Sequence, residues 1–190
     1  MSSFEIFLLF INCLMRKGKK EQSYKILMGV LNLIHVKTRY RRQYLIFKAT
    51  RLRRLSGGKL TRKNYLNLTK QELKELNDLS LHPLIILCSA IRKSSSVVYL
   101  RPQYRGKNKV SIPLLFDNEK RRLSASIRNI IFNSNKRYEK NVTLRLFGEI
   151  MDIFFNRNSR TFKAKKNLYK SALNARGFLK SYVRRIPVKK

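Results

Sequence analysis

The chain has 190 residues, 43% of them hydrophobic, which is enough for one domain with a buried core, so composition excludes a disordered basic tail. It contains 44 lysines and arginines but only 10 acidic residues, which gives a formal net charge of +34. So many like charges destabilise a compact fold unless a polyanion neutralises them, whereas a merely solvated surface would carry mixed signs. We therefore predict one domain over residues 1–190 that binds nucleic acid.

The first two segments have the apolar spacing of helices. Residues at i, i+4, i+7 and i+11 from Phe4 predict a first helix that ends in a left-handed cap at Gly18, and residues 24–34 predict a second. A basic connection joins them. Because the backbone amides at a helix start already favour an anion, we predict that these cations bind phosphate, with a solvated loop as the alternative. They are Arg16, Lys17, Lys19 and Lys20.

Residues 36–71 contain twelve cations, interleaved aromatic residues and no acid. With little periodicity and a centre at Ser56-Gly57-Gly58, the stretch is predicted to be poorly ordered alone. Bound to RNA it can fold, with arginine planes and rings stacking on bases, and a disordered linker is the alternative. Thr69 and Glu72 form a capping-box pattern before a short helix.

Two β-branched and apolar runs, 97–100 and 110–116, flank nine residues rich in cations and predict a β-ribbon with a charged tip. Pro113 cannot donate to a ladder, which places its strand at an edge, and two strands alone are marginal in water. We therefore expect a basic arm that projects from, and is braced by, a helical body. Its cations have no acidic neighbours in the arm, so we expect them to bind an external polyanion. They are Arg101, Arg105, Lys107 and Lys109.

Four further stretches predict helices. Pro83 begins the third, and Asp117 or Asn118 caps the fourth, whose first turn holds three cations that oppose the helix dipole unless phosphate is near. These three are Lys120, Arg121 and Arg122. The fifth covers about 143–155, and the last covers about 162–183 with a cationic outer face that includes Lys163, Lys165 and Arg176. The predicted fold class is mainly α, a bundle of about six helices with a protruding two-stranded β-ribbon arm.

Potential metal ligands are scattered along the chain. Cys13 and Cys88 both lie in apolar helical runs, where free cysteine acts as a small hydrophobe, and His35 and His82 stand apart. Spacing therefore predicts no metal cluster and no cofactor.

Glu149 and Asp152 are three residues apart on one helix face, and we interpret them as counterions for Arg145 rather than as metal ligands. Catalysis is therefore not expected. The first alternative is an organellar RNA-processing nuclease or maturase, which would need carboxylates gathered around a metal, whereas the acids here are scattered. The second is a protein bound to an acidic membrane surface by the apolar run 4–15 and its neighbouring cations.

The start of the chain does not predict secretion. The apolar run 4–15 is too short to span a bilayer, and Glu5 replaces the cationic start of a signal peptide. No Arg-rich, acid-poor leader precedes the first helix. Heavy use of Lys, Asn, Ile, Phe and Tyr suits an AT-rich genome, so an organelle product made where it works is expected.

The order of these helices around one basic ribbon resembles small-subunit ribosomal protein seven, in its bacterial and organellar form. Residues 10–20, FINCLMRKGKK, resemble the family's first-helix motif, and residues 90–113 match its ribbon without a gap. Arg121-Arg122 with residues 125–130 resemble the helix after the ribbon. Two later helices resemble the family at positions Leu144, Arg145, Leu146, Glu149 and Asp152, and Lys163, Lys165, Ala172, Arg176 and Phe178.

The chain also departs from the family pattern. Lys107 replaces a second glycine, Ser96 a usual proline and Asn129 a usual tryptophan. A basic insertion at about 37–79 has no bacterial counterpart, which favours a mitochondrial member. Localisation in the mitochondrial matrix, on its ribosome, is therefore expected.

The resemblance implies a structural, non-enzymatic constituent of the small ribosomal subunit without cofactors. It implies binding to the 3′ major (head) domain of small-subunit rRNA and support of head assembly, beside head and platform proteins. It also implies a ribbon near exit-site tRNA and mRNA, and no membrane span. RNA contacts are expected from the four cations of the first connection, the four of the ribbon, the three after Glu119, and Lys163, Lys165 and Arg176.

Overall fold

The computed structural model describes residues 1–55, 82–105 and 108–183. Within these ranges it contains seven helices and a two-stranded antiparallel sheet, which confirms the predicted mainly α class with a β-ribbon. In chain order the elements are α1 (Ser3–Leu14), α2 (Lys20–Leu55), α3 (Pro83–Ser94), β1 (Val98–Arg105), β2 (Asn108–Leu115), α4 (Glu119–Ser134), α5 (Val142–Phe154), α6 (Arg160–Asn174) and α7 (Arg176–Val183).

Helix α5 lies at the centre of the helical body. It packs against α2, α3 and α4, and its Ile150 side chain is fully buried. Gly29 allows α2 to approach closely, because a Cβ there would lie 3.0 Å from a methyl carbon of Thr143. Each large apolar side chain buried in this core contributes about 1.5–3 kcal/mol.

Helix α1 forms where the apolar spacing predicts it, but with a different buried face. Ser2 and Glu5 form a capping box at its start. Ile6, Phe10 and their neighbours are buried, whereas Phe4 is 64% exposed. The positions counted from Phe4 predict the helix but not its buried side, because nearly every residue from 4 to 15 is apolar and periodicity alone does not select one stripe.

The same helix ends before the predicted cap. Its last residue is Leu14, and Gly18 lies in the following turn, where Lys17 and Gly18 have φ values of 51° and 74°. Gly18 therefore does take the left-handed conformation, but as part of a chain reversal.

Helix α2 is longer than predicted. It covers 36 residues and continues through the part of the basic insertion that was expected to be poorly ordered, so that expectation is wrong for residues 36–55. Thr38 and Leu45 are buried along this continuation. No glycine or proline occurs from residue 30 to 55, and arginine, lysine and leucine are good helix formers, so local propensity extends the helix without a clear apolar period. The Ser56-Gly57-Gly58 centre and the capping box from Thr69 lie outside the described residues.

The ribbon's strands are longer than predicted. They pair Leu100 with Pro113, Pro102 with Ser111 and Arg105 with Asn108, so most of the nine residues expected in the charged tip belong to strands. In an antiparallel ladder, hydrogen-bonded and non-hydrogen-bonded residue pairs alternate. Val97 and Phe116 form a hydrogen-bonded pair, with the Phe116 N–H donating to the Val97 carbonyl oxygen at 3.1 Å, and counting along the register puts both prolines in non-hydrogen-bonded pairs. The missing proline N–H groups therefore cost no ladder bond.

The ribbon is braced by the C-terminal helices. β1 packs against α6 and β2 against α7, and Ile112 is only 3% exposed. The Tyr169 hydroxyl of α6 accepts a hydrogen bond from the Val97 N–H, 3.2 Å. The single last helix predicted over about 162–183 is divided at Ala175, and this break allows α7 to lie against β2.

Candidate nucleic-acid interface

The turn between α1 and α2 presents four exposed cations, which we call the basic turn: Arg16, Lys17, Lys19 and Lys20. The left-handed residues in its middle reverse the chain so that the cations stand at the start of α2. A cleft of about 350 Å³ lies beside the turn, with Ile131 and Leu146 among its lining residues. The positive end of the α2 helix dipole and the exposed cations favour a phosphate at this position.

The first turn of α4 presents a second group, which we call the α4 triplet: Lys120, Arg121 and Arg122. Asn118 caps the helix as predicted, accepting the Lys120 N–H at 2.9 Å. Lys120 and Arg121 are exposed, and the half-buried Arg122 has a buried Nε that lacks a hydrogen-bond acceptor among the residues described.

Arg128 extends this second group along the helix. It is exposed and lines the same shallow cleft as Lys120, Arg121 and Phe116. Sequence reasoning missed it, although its position seven residues after Arg121 predicts the same helix face.

The basic turn and the α4 triplet lie at opposite ends of α4. Helices α1 and α4 run side by side in the same direction, since the Met1 ammonium is 3.3 Å from a Glu119 carboxylate oxygen and Cys13 Sγ is 3.5 Å from Ser124 Oγ. The basic turn shares its cleft with Ile131, near the end of α4. About 20 Å of helix separates the two groups, so the structure gives two contact points rather than one patch.

The predicted cations of the last helices have different environments. Lys163 and Arg176 are exposed, whereas Lys165 is half-buried and its ammonium donates to the Lys93 carbonyl oxygen at 2.8 Å. Lys93 lies in the last turn of α3, where a cation is favoured by the helix dipole. Lys165 therefore has a structural bond as well as any contact with RNA.

On the ribbon, Arg101 is exposed and lies opposite Ile112 in the strand register. The side chains of Arg105 and Lys109, and the whole of Lys107, lie outside the described residues.

Almost all acids of the described part bind partners that are not predicted RNA contacts. The Glu5 carboxylate accepts the Ser2 N–H in the capping box, Glu21 pairs with Lys25, and Glu119 pairs with the N-terminal ammonium. Three more converge on Arg137 and form what we call the acidic cluster: Glu139, Glu149 and Asp152. The cations of the basic turn and the α4 triplet are therefore left for an external anion.

The acidic cluster is built around one guanidinium. Arg137 donates to Glu149 Oε2 at 2.8 Å and to Asp152 Oδ2 at 2.7 Å, and Glu139 Oε1 lies 3.4 Å from its Nε. The fully buried Glu149 also accepts the N–H and hydroxyl of Thr161, in the first turn of α6. The cluster thus joins α5, α6 and the loop between α4 and α5.

The predicted counterion was wrong. Arg145 donates to the backbone carbonyl oxygens of Glu139 and Lys140 rather than to Glu149 or Asp152. Arg137 takes its place because the loop after α4 brings its guanidinium directly over the two carboxylates.

The same geometry shifts two pKa values. Burial by itself lowers the pKa of Arg137, but the hydrogen bond that Arg137 donates to Glu149 and the charge of Asp152 outweigh burial, so the pKa is raised above its usual value. The pKa of Glu139 is lowered, chiefly by a hydrogen bond from its own backbone N–H; burial opposes this effect, and the hydrogen bond and charge of Arg137 lower the pKa further.

The described residues contain neither a metal-binding cluster nor a membrane-spanning helix. In the described ranges no cluster of histidine, cysteine or acidic residues is arranged to hold a metal ion, since Arg137 occupies the centre of the acidic cluster. The Cys88 thiol is buried, and burial raises its pKa, as suits a small hydrophobe. Among the helices of residues 1–55, 82–105 and 108–183, none is both long and apolar enough to cross a membrane.

The profile of one protein family, ribosomal protein S7p/S5e, matches residues 3–176. The chain belongs to this family. Membership makes it a small-subunit ribosomal protein with a structural function in translation and with rRNA as its partner, and confirms the resemblance seen in the sequence. The match covers every described element up to the first residue of α7. Among curated proteins, none matches the chain.

Proposed function

We propose that this member of the S7p/S5e family binds the 3′ major (head) domain of small-subunit rRNA and supports assembly of the head. The observation that carries the proposal is the distribution of charge: acids are bound within the protein, while cations remain exposed at both ends of α4. Two cation groups separated by about 20 Å, one on the first turn of α4 and the other beside its far end, favour recognition of a folded RNA over a single strand.

Recognition rests on phosphate neutralisation and shape. The deep, narrow major groove of A-form RNA excludes side chains, so base reading by the basic turn and the α4 triplet is minor. The ribbon, held at its base by α6 and α7, extends toward exit-site tRNA and mRNA, and head and platform proteins are its neighbours in the proposal. The family-atypical insertion supports a place in the mitochondrial ribosome.

The test uses the full chain and a transcript of the 3′ major domain. Replacing Lys19, Lys20, Arg121 and Arg122 together by glutamine removes cations from both ends of α4. The slope of log affinity against log salt should become shallower by about 0.7–0.9 for each lost phosphate contact, roughly 3 in all.

A matched variant replaces four exposed cations elsewhere on the protein, and its slope should change less. These are Lys140, Arg157, Lys166 and Lys170. A quadruple variant that folds normally and keeps the wild-type slope contradicts the assignment. Protein-to-RNA crosslinks in the assembled particle test the location: crosslinks concentrated outside the 3′ major domain contradict it.

A further inference from the structure

The continuation of α2 beyond the core exposes three aromatic rings on one side, which we call the aromatic stripe: Tyr40, Tyr44 and Phe47. Their exposed fractions are 68%, 57% and 64%. Spacings of four and three residues place them within about 60° of the helix circumference. The buried residues of this segment, Thr38 and Leu45, lie on the opposite side.

The stripe lies on a part of α2 that the main core does not include. Ile34 is the last residue of α2 that joins the buried core cluster, and the described helix continues for about 30 Å beyond it. A contiguous run of large exposed rings on this part of α2 is typical of an interaction surface, because monomeric proteins rarely expose extended apolar patches.

The charges around the stripe select the partner. Exposed cations precede and separate the rings, and Arg41 lies over the Tyr44 ring with its Cζ 5.5 Å from the centroid. No acid occurs from residue 36 to 71. A docked protein needs no such one-sided charge, whereas single-stranded RNA offers both bases for the rings and phosphates for the cations.

We propose that the aromatic stripe binds unpaired nucleotides of rRNA by stacking its rings on bases, with neighbouring arginines and lysines neutralising the phosphates. The rings are separated along the helix axis by about 6 and 4.5 Å, between one and two base steps of about 3.4 Å. This inference rests on the proposed function, but adds a second site of another kind, since the basic turn and the α4 triplet contact phosphate rather than bases.

The chain contains no tryptophan, so a single introduced tryptophan reports its own surroundings. In full-length Phe47→Trp we expect strong quenching of the indole fluorescence by a 12-nucleotide oligoadenylate and little by polyphosphate of the same charge, because only the former has bases. Ile46→Trp is the matched control: it is also exposed but points about 100° away, so its quenching should be much weaker. Equal quenching of the Phe47→Trp variant by both polymers, or by neither, overturns the proposal.

A second variant separates stacking from apolar docking. Tyr40→Leu, Tyr44→Leu and Phe47→Leu together preserve a helix-forming apolar surface but remove the rings. Affinity for the 3′ major domain transcript should fall at least about fivefold, the lower bound for losing one stacked base.

The outcomes distinguish the two proposals. Wild-type affinity in the leucine variant, together with no quenching of the Phe47→Trp variant by the bound transcript, overturns the stacking site and assigns the stripe to a protein or to another segment of this chain. The proposed function survives that result. Failure of the wild-type chain to bind the transcript at all overturns both.

Discussion

The acidic cluster and the basic turn use the same kinds of side chain in opposite ways. In the cluster, one guanidinium is shared by three carboxylates, and the Glu149 side chain is completely buried. In the basic turn, four cations are exposed at the start of a helix. The difference shows that a cation's location, rather than its type, decides whether it stabilises the fold or is available to phosphate.

The comparison divides the cations into those that stabilise the fold and those that are available to RNA, and each group can be tested separately. Removing a cation from the cluster should affect folding and leave the RNA affinity of the folded protein nearly unchanged. Removing one from the basic turn or the α4 triplet should do the reverse. Four variants test this division.

Arg137→Leu should have the largest effect. It leaves the buried Glu149 and the half-buried Asp152 without their cation, and breaking a buried ion pair from one side costs about 3–5 kcal/mol. Urea denaturation at pH 7 measures the change in the free energy of unfolding. Arg121→Leu is the control, with an expected change within about 0.5 kcal/mol because Arg121 is exposed. Equal losses in the two variants contradict the division.

Gly148→Ala should have the next largest effect. A Cβ at this position lies 2.8 Å from Nη2 and 3.1 Å from Cζ of Arg137, whose guanidinium is held by carboxylates and cannot easily move. Such overpacking costs about 1–3 kcal/mol.

Gly177→Ala is the matched control in α7, where a Cβ meets nothing within 4 Å and alanine is the better helix former. It should be neutral or slightly stabilising in the same denaturation experiment. A Gly148→Ala protein as stable as the wild type shows that Arg137 can shift without losing its partners.

Local signals in the sequence predicted much of the fold. Pro83 and Asn118 mark helix starts where the structure has them, and the two apolar runs around the ribbon predict paired strands. These features depend on a few adjacent residues. The length of α2 was missed because only Thr38 and Leu45 are buried along its continuation, too few to form an apolar period that the sequence reveals.

The candidate site was predictable only in part. Arg145 lies four residues before Glu149, so helical spacing predicts that pair, but the partner is Arg137, which a loop brings from twelve residues away. Sequence spacing does not contain that information. The separation of the basic turn from the α4 triplet follows likewise from the parallel packing of α1 and α4 rather than from any local motif.

Glu139→Gln should have a smaller, pH-dependent effect. Because the pKa of Glu139 is lowered in the fold, the stability it provides is complete above its unfolded pKa of about 4.3 and is lost as pH falls through the folded value. The wild type should therefore be more stable than the variant at pH 7, and the difference should shrink below about pH 4. Urea midpoints at several pH values measure it. A difference that grows on acidification contradicts the sign.

Glu21→Gln should have the smallest effect on folding and the most informative one on binding. Glu21 follows directly after the basic turn and pairs with Lys25 at 2.7 Å, but both side chains are more than 70% exposed. Losing an exposed pair of this kind costs about 0.3–0.5 kcal/mol. Because the variant also removes a negative charge next to a proposed phosphate site, affinity for the 3′ major domain transcript should rise, and the rise should vanish at high salt. A stability loss above about 2 kcal/mol would show that Glu21 stabilises the fold as the acids of the cluster do, and would contradict the division of the charges. An unchanged affinity would show that the phosphate does not bind at the start of α2.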